Sequence, residues 1–207
     1  MKNYMSICEE ISINYRKIHE LKEQKYMANY LEKNALYKQV EQLETVNKVL
    51  CNNARCVLFQ EIFPDVLKIM HKYDGKAMGE KTTKKFESEV KEKLNCGIWI
   101  DARTIHIYRL NEQGYSIAGD GDSIAISTDN YNDAILVNNK LQVYDIEKYT
   151  ICDTRPYIEN IEEYLRKIND LKSEAKQLQE KLRDICSEYN SLTVDKMEYI
   201  DYTHHIY

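Results

Sequence analysis

Toward the C-terminal end of the chain, apolar residues recur at steps of three and four. Ile158, Ile161, Leu165, Ile168, Leu171, Ala175, Leu178, Leu182, Ile185, Tyr189 and Leu192 form a heptad seam with one stammer, where Leu165, Ile168 and Leu171 give two threes in succession. The spacing predicts a long amphipathic helix. Its start is marked by Asp153 and Thr154 as caps, Pro156 in the first turn, and Glu159, Glu162 and Glu163 where the helix dipole favours acids. A looser version of the pattern runs through Ile7, Ile11, Ile18, Leu21, Leu36, Val40, Leu43, Val46 and Leu50. It predicts a second long helix with charges such as Glu20, Lys22, Glu23, Glu41 and Glu44 on its wet face. Because the intervening segment joins their inner ends, the two helices are expected to pair antiparallel, with Leu50 near Ile158 and Ile18 near Leu192.

From Leu50 to Met70 apolar residues cover nearly every side, so this stretch is expected as core, with Pro64 kinking it or beginning a new helix. A glycine-containing loop follows, and then Phe86, Val90 and Leu94 predict a short amphipathic helix capped by Thr82 or Thr83. Beyond it the period changes to two. Strands are predicted at 97–101, 104–110, 115–118, 123–127, 134–137 and 140–144, with Asn138 and Asn139 as a two-residue hairpin turn.

Glycine and proline usage fits this layout. All six glycines lie between Gly75 and Gly121, and the only prolines, Pro64 and Pro156, stand just outside that window. The expected class is α+β: two long helices forming an antiparallel coiled-coil arm, flanking a compact head with a mainly antiparallel sheet and one or two short helices. The expected boundaries are an N-terminal helix at 1–50, a head at 51–153, a C-terminal helix at 154–193 and a tail at 194–207. Helix, strands and returning helix resemble in outline the prefoldin subunits, whose coiled arms project from a β platform. That resemblance covers architecture alone, and no motif accompanies it, so it implies no function.

Composition narrows the class further. Charged residues make up 30% of the 207 and mean hydropathy is -0.63, which suits an elongated arm better than one large sphere. Seventeen tyrosines stand beside three phenylalanines and one tryptophan. Tyrosine and lysine enrichment with few glycines and prolines fits an AT-rich coding source, as in phages and mobile elements. Six scattered cysteines without a CxxC pair, no leader-like N-terminal segment and no apolar run of the roughly 18–20 residues that span a bilayer point to a soluble cytoplasmic protein away from membranes.

Net charge is only -5, but it is unevenly spread. Between residues 111 and 147, Glu112, Asp120, Asp122, Asp129, Asp133, Asp145 and Glu147 oppose a single Lys140. In the segment 72–93, lysines at 72, 76, 81, 84, 85, 91 and 93 are interleaved with acids. The stretch from Gly75 to Thr82 superficially matches a phosphate-binding loop. It has three residues between its glycines where the motif needs four, and Glu80 would repel a phosphate. Asp120 and Asp122 lack the further ligands of an EF-hand, and no His pairs with Cys or acid at metal-ligand spacing. No catalytic residue, metal or cofactor is therefore assigned.

A protein that works by binding another macromolecule is the expected class, as a monomer or as a homodimer through the arm. Asp120, Asp122, Asp129 and Asp133 are the first candidate contacts, meeting a basic protein partner such as a nucleic-acid-handling complex. The concrete form to test is an inhibitor of a host defence system such as CRISPR. The alternative is a nucleic-acid-binding accessory protein using Lys76, Lys81, Lys84 and Lys85, and the third is an enzyme whose site is assembled in space within the head.

Overall fold

The structure is a computed structural model that describes residues 2–101, 104–117, 123–128, 135–151 and 155–192, the side chains of residues 190 and 192 excepted. It divides after Ile158 into two compact units; among the described residues the first holds three α-helices and six strands and the second one long α-helix. The fold is α+β, with two long helices packed together and an antiparallel four-stranded sheet.

The long pair is α1 (Tyr4–Met27) with α2 (Tyr30–His71). The N-terminal 50 residues, expected as one helix, are thus divided. Ala28 is extended (φ -84°, ψ 154°), and Asn29 opens α2 with a capping box: its side chain accepts from the Glu32 amide at 3.1 Å, while Glu32 accepts from the Asn29 amide at 3.0 Å. Two amide donors at a helix start are satisfied reciprocally, which makes a break here cheap without glycine or proline. The helices run antiparallel, since Asn14 pairs with Asn47 and Lys22 with Glu44 as the chain doubles back. Ile18, expected to meet the C-terminal helix, packs with Leu21, Val40, Leu36 and Leu43. The element order consequently departs from the helix, strands and helix outline shared with prefoldin.

At about 1.5 Å per residue, the 42 residues of α2 extend for roughly 63 Å. Its second half is core, with Leu50, Ala54, Val57, Leu58, Ile62, Phe63, Val66 and Met70 buried, and the helix runs through Pro64 without a new start. Three asparagines are buried on it as well. Asn47 takes up the Asn14 amide, and Asn52 and Asn53 grip the return segment 155–158. The Asn52 side chain accepts from the Arg155 amide at 2.8 Å and donates to the Arg155 carbonyl at 3.1 Å. Asn53 does the same with Ile158, at 2.8 and 2.7 Å. Each side-chain amide stands in for a backbone peptide and satisfies a donor and an acceptor at once.

α3 (Glu80–Leu94) is capped by Gly79 rather than by either threonine, since the amides of Thr82 and Thr83 both point back to the Gly79 carbonyl. Asn95 ends it in the left-handed conformation (φ 50°) and turns the chain into the sheet. The strands β1 (Cys96–Ile100), β2 (Ile105–Arg109), β3 (Ile124–Thr128) and β6 (Tyr149–Ile151) lie side by side in that order, every neighbour antiparallel. β4 (Leu136–Val137) and β5 (Lys140–Leu141) form a separate hairpin, turned by Asn138 and Asn139 at φ 49° and 61° as their type predicts. Near 115–118 the described residues show only an isolated bridge from Ser116 to Leu110, and β6 arises from a segment not foreseen as a strand.

One sheet face is apolar: Cys96, Ile98, Ile105, Ile107, Ile124 and Ile126 are buried, with α3 against β1 and α2 against β3. The other face carries Gly97, Trp99, His106 and Tyr108. A Cβ on Gly97 would press on the outer edge of the Tyr108 ring, so glycine lets that ring lie over the strand.

The second unit contains α4 (Ile161–Leu192), which starts later than its sequence signals suggest. Asn160 is its cap, accepting from the Glu163 amide at 3.0 Å, and Pro156 lies in the preceding irregular stretch. Asp153 and Thr154 lie outside the described residues.

Candidate functional site

Three of the seven lysines between residues 72 and 93 form ion pairs, and of the four candidate contacts Lys84 is the one that does. Lys81, Lys84 and Lys85 share the exposed face of α3, opposite Phe86 and Val90, as their spacing requires. Lys84 pairs with Glu80 at 2.7 Å, and Lys76 sits in the preceding loop with its Nζ 5.2 Å from the centre of the Tyr73 ring. Lys72 and Lys93 both donate to Glu89, which also accepts from the Tyr73 hydroxyl. The hydrogen bonds from Lys72 and then Lys93 hold the Glu89 carboxyl down to about 2. Backbone groups of the loop that mimics a phosphate cradle are also occupied. The Gly75 and Met78 amides donate to Leu141 and Asn139, and the Lys76 carbonyl accepts from Leu141, so the loop serves as a brace for the β4–β5 hairpin.

Asp120, Asp122, Asp129 and Asp133 lie outside the described residues, as do His204 and His205. Among the described residues, no three His, Cys, Asp or Glu side chains come together as a metal-ligand set. Burial pushes the Cys96 thiol up to about 11 and raises that of Cys56, which keeps both protonated and weakly nucleophilic.

One hydroxyl, one imidazole and one carboxylate do meet at the β1–β2 turn. His106 Nε2 lies 2.8 Å from Thr104 Oγ1 and 3.0 Å from Asp101 Oδ2, and the Thr104 hydroxyl and amide donate to the same carboxylate. A hydrolytic triad needs hydroxyl and carboxylate on opposite ring nitrogens, so that the acid orients the base that activates the nucleophile. Here both converge on Nε2, an arrangement that pins a turn. The imidazole also stacks on Trp99, with centroids 3.7 Å apart and planes 11° apart.

The strongest surface feature lies at the free end of the α1–α2 hairpin. Tyr26, Met27, Tyr30 and Leu31 are 85%, 92%, 78% and 79% exposed, within six consecutive residues. Their exposure follows from the local chain path. The capping box ends α1 and starts α2 with almost no loop, and the last covered positions, Leu21 and Leu36, lie below the tip. Tyr37, 57% exposed with Lys25 Nζ 4.8 Å above its ring, extends the patch down one flank. Sequence patterning passes over these residues because none falls on the seam. The signal was nonetheless present: large apolar residues off any periodic face, next to an Asn and a Glu at capping-box spacing.

No helix of the described residues is long and apolar enough to cross a membrane. Comparison with protein-family models, with curated proteins and with solved structures yields no match, so the surface itself is the only guide to function.

Proposed function

We propose that this is a protein-binding protein whose helical hairpin delivers Tyr26, Met27, Tyr30 and Leu31 into an apolar groove of a protein partner. The observation that carries this is that they are the four most exposed large apolar side chains among the described residues and fall within six consecutive positions. Tyrosine and methionine at a rigid projecting tip supply contact area at small entropic cost, and tyrosine hydroxyls can bond the groove's rim. The lysine alternative is weakened only where Lys84 pairs with Glu80 and where acids interleave along α3. A reducing cytoplasmic setting fits the free thiols of Cys8, Cys51, Cys56, Cys96 and Cys186.

Site-specific photocrosslinking tests this reading. A photoreactive residue at Tyr30, introduced in cells that make the protein, should yield one discrete protein adduct identifiable by mass spectrometry. The same residue at Glu180, on the exposed side of α4, should yield none. Leu31→Lys should abolish the adduct while leaving thermal stability unchanged. A nuclease-sensitive adduct, or equal crosslinking from both positions, would refute the proposal.

A further inference from the structure

α4 carries two apolar lines, each at heptad spacing. Ile161, Ile168, Ala175 and Leu182 form one. The other, Leu171, Leu178 and Ile185, is 62%, 58% and 59% exposed. Three large aliphatic side chains aligned on one helix face and left in water are the seam of an unmade contact.

The line flanking them on the side away from the Ile161 line identifies the occupant. Lys167, Glu174, Lys181 and Glu188 also recur every seven residues, and their signs alternate. In an antiparallel helix pair, flanking positions of this kind face their own copies across a two-fold axis. With Leu178 on that axis, Leu171 meets the partner's Ile185, Lys167 faces the partner's Glu188, and Glu174 faces the partner's Lys181. Every charge then meets its opposite. In a parallel pair the charged line would face the partner's Ile161–Leu182 line, and the alternation would serve nothing. We therefore propose that two copies of this chain associate through antiparallel α4 helices along Leu171, Leu178 and Ile185. This contact is separate from the hairpin tip and does not depend on it.

Sedimentation equilibrium on the full chain, from about 1 to about 200 μM, should show a monomer–dimer equilibrium, since an exposed seam of this length suits micromolar rather than nanomolar pairing. Glu174→Lys places like charges together at both symmetric positions and should weaken association by about tenfold. Glu174→Lys combined with Lys181→Glu restores both pairs, and association should return to within about twofold of the parent. Leu178→Glu alters a residue already exposed in one copy, so helix content by circular dichroism should be unchanged while the dimer is lost. A monomer at every concentration would overturn the proposal. A dimer indifferent to Glu174→Lys and Leu178→Glu would overturn it equally, since pairing would lie elsewhere.

Discussion

Asn53 offers the sharpest test of how the return segment is held. Its side chain is 2% exposed and makes two short hydrogen bonds to the backbone of Ile158, one as acceptor and one as donor. Asn53→Ala removes both and leaves a half-buried amide and carbonyl poorly satisfied, so at about 1 kcal/mol per net bond plus incomplete resolvation the loss should be about 2–4 kcal/mol. Asn53→Asp keeps the acceptor for the Ile158 amide but sets a carboxylate against the Ile158 carbonyl, in a site that desolvates it. At neutral pH it should cost at least as much as alanine. Its carboxyl would be raised in the folded state, so stability is regained as pH falls and the acid becomes a donor again. Urea unfolding followed by far-ultraviolet circular dichroism at pH 7 and pH 4.5 measures both effects. Alanine within about 0.5 kcal/mol of the parent, or aspartate with no recovery at the lower pH, would refute the side-chain clamp.

Glu89 has a folded pKa held well below its unfolded value, so its contribution is full above the unfolded carboxyl range and is lost as pH falls toward about 2. Glu89→Gln should therefore lower the urea midpoint at pH 7, and the gap to the parent should close progressively below about pH 4.5. Gly97→Ala forces the Tyr108 ring aside and should cost about 1–3 kcal/mol in chemical denaturation; combined with Tyr108→Ala the penalties should be clearly less than additive. Asn29→Ala removes the acceptor of the capping box and should destabilise by about 1 kcal/mol, whereas Leu31→Lys, two residues away and exposed, should fall within about 0.5 kcal/mol of the parent.

Class and core were legible because they rest on period and punctuation. The continuous apolar run 50–70 is the buried half of α2, the alternation in 104–110 puts Ile105 and Ile107 inside with His106 on the other face, and Asn138–Asn139 turns a hairpin. The helix partner was not legible. A seam demands an apolar partner without naming it, and absence of glycine and proline from the N-terminal segment hid a break that Asn29 and Glu32 supply through side-chain bonds alone. Similarly, Asp153 and Pro156 resemble a helix start as much as Asn160 does, and only the grip of Asn52 and Asn53 on residues 155–158 delays the helix. The tip residues escaped for a related reason: periodicity identifies what is buried, and a contact surface consists of what periodicity leaves over.

Trp99 is the only tryptophan in the chain, and it lies against an imidazole at stacking distance. The tryptophan fluorescence of the whole molecule therefore arises from one spot on that sheet face, against the His106 ring. Anything that wedges between the two rings, or shifts the β1–β2 turn that orients them, would brighten or redden the emission without a label. The hairpin tip and α4 carry tyrosines but no tryptophan. Titrations excited at the red edge, where tyrosine does not absorb, would thus report on the sheet face within a single unmodified sample.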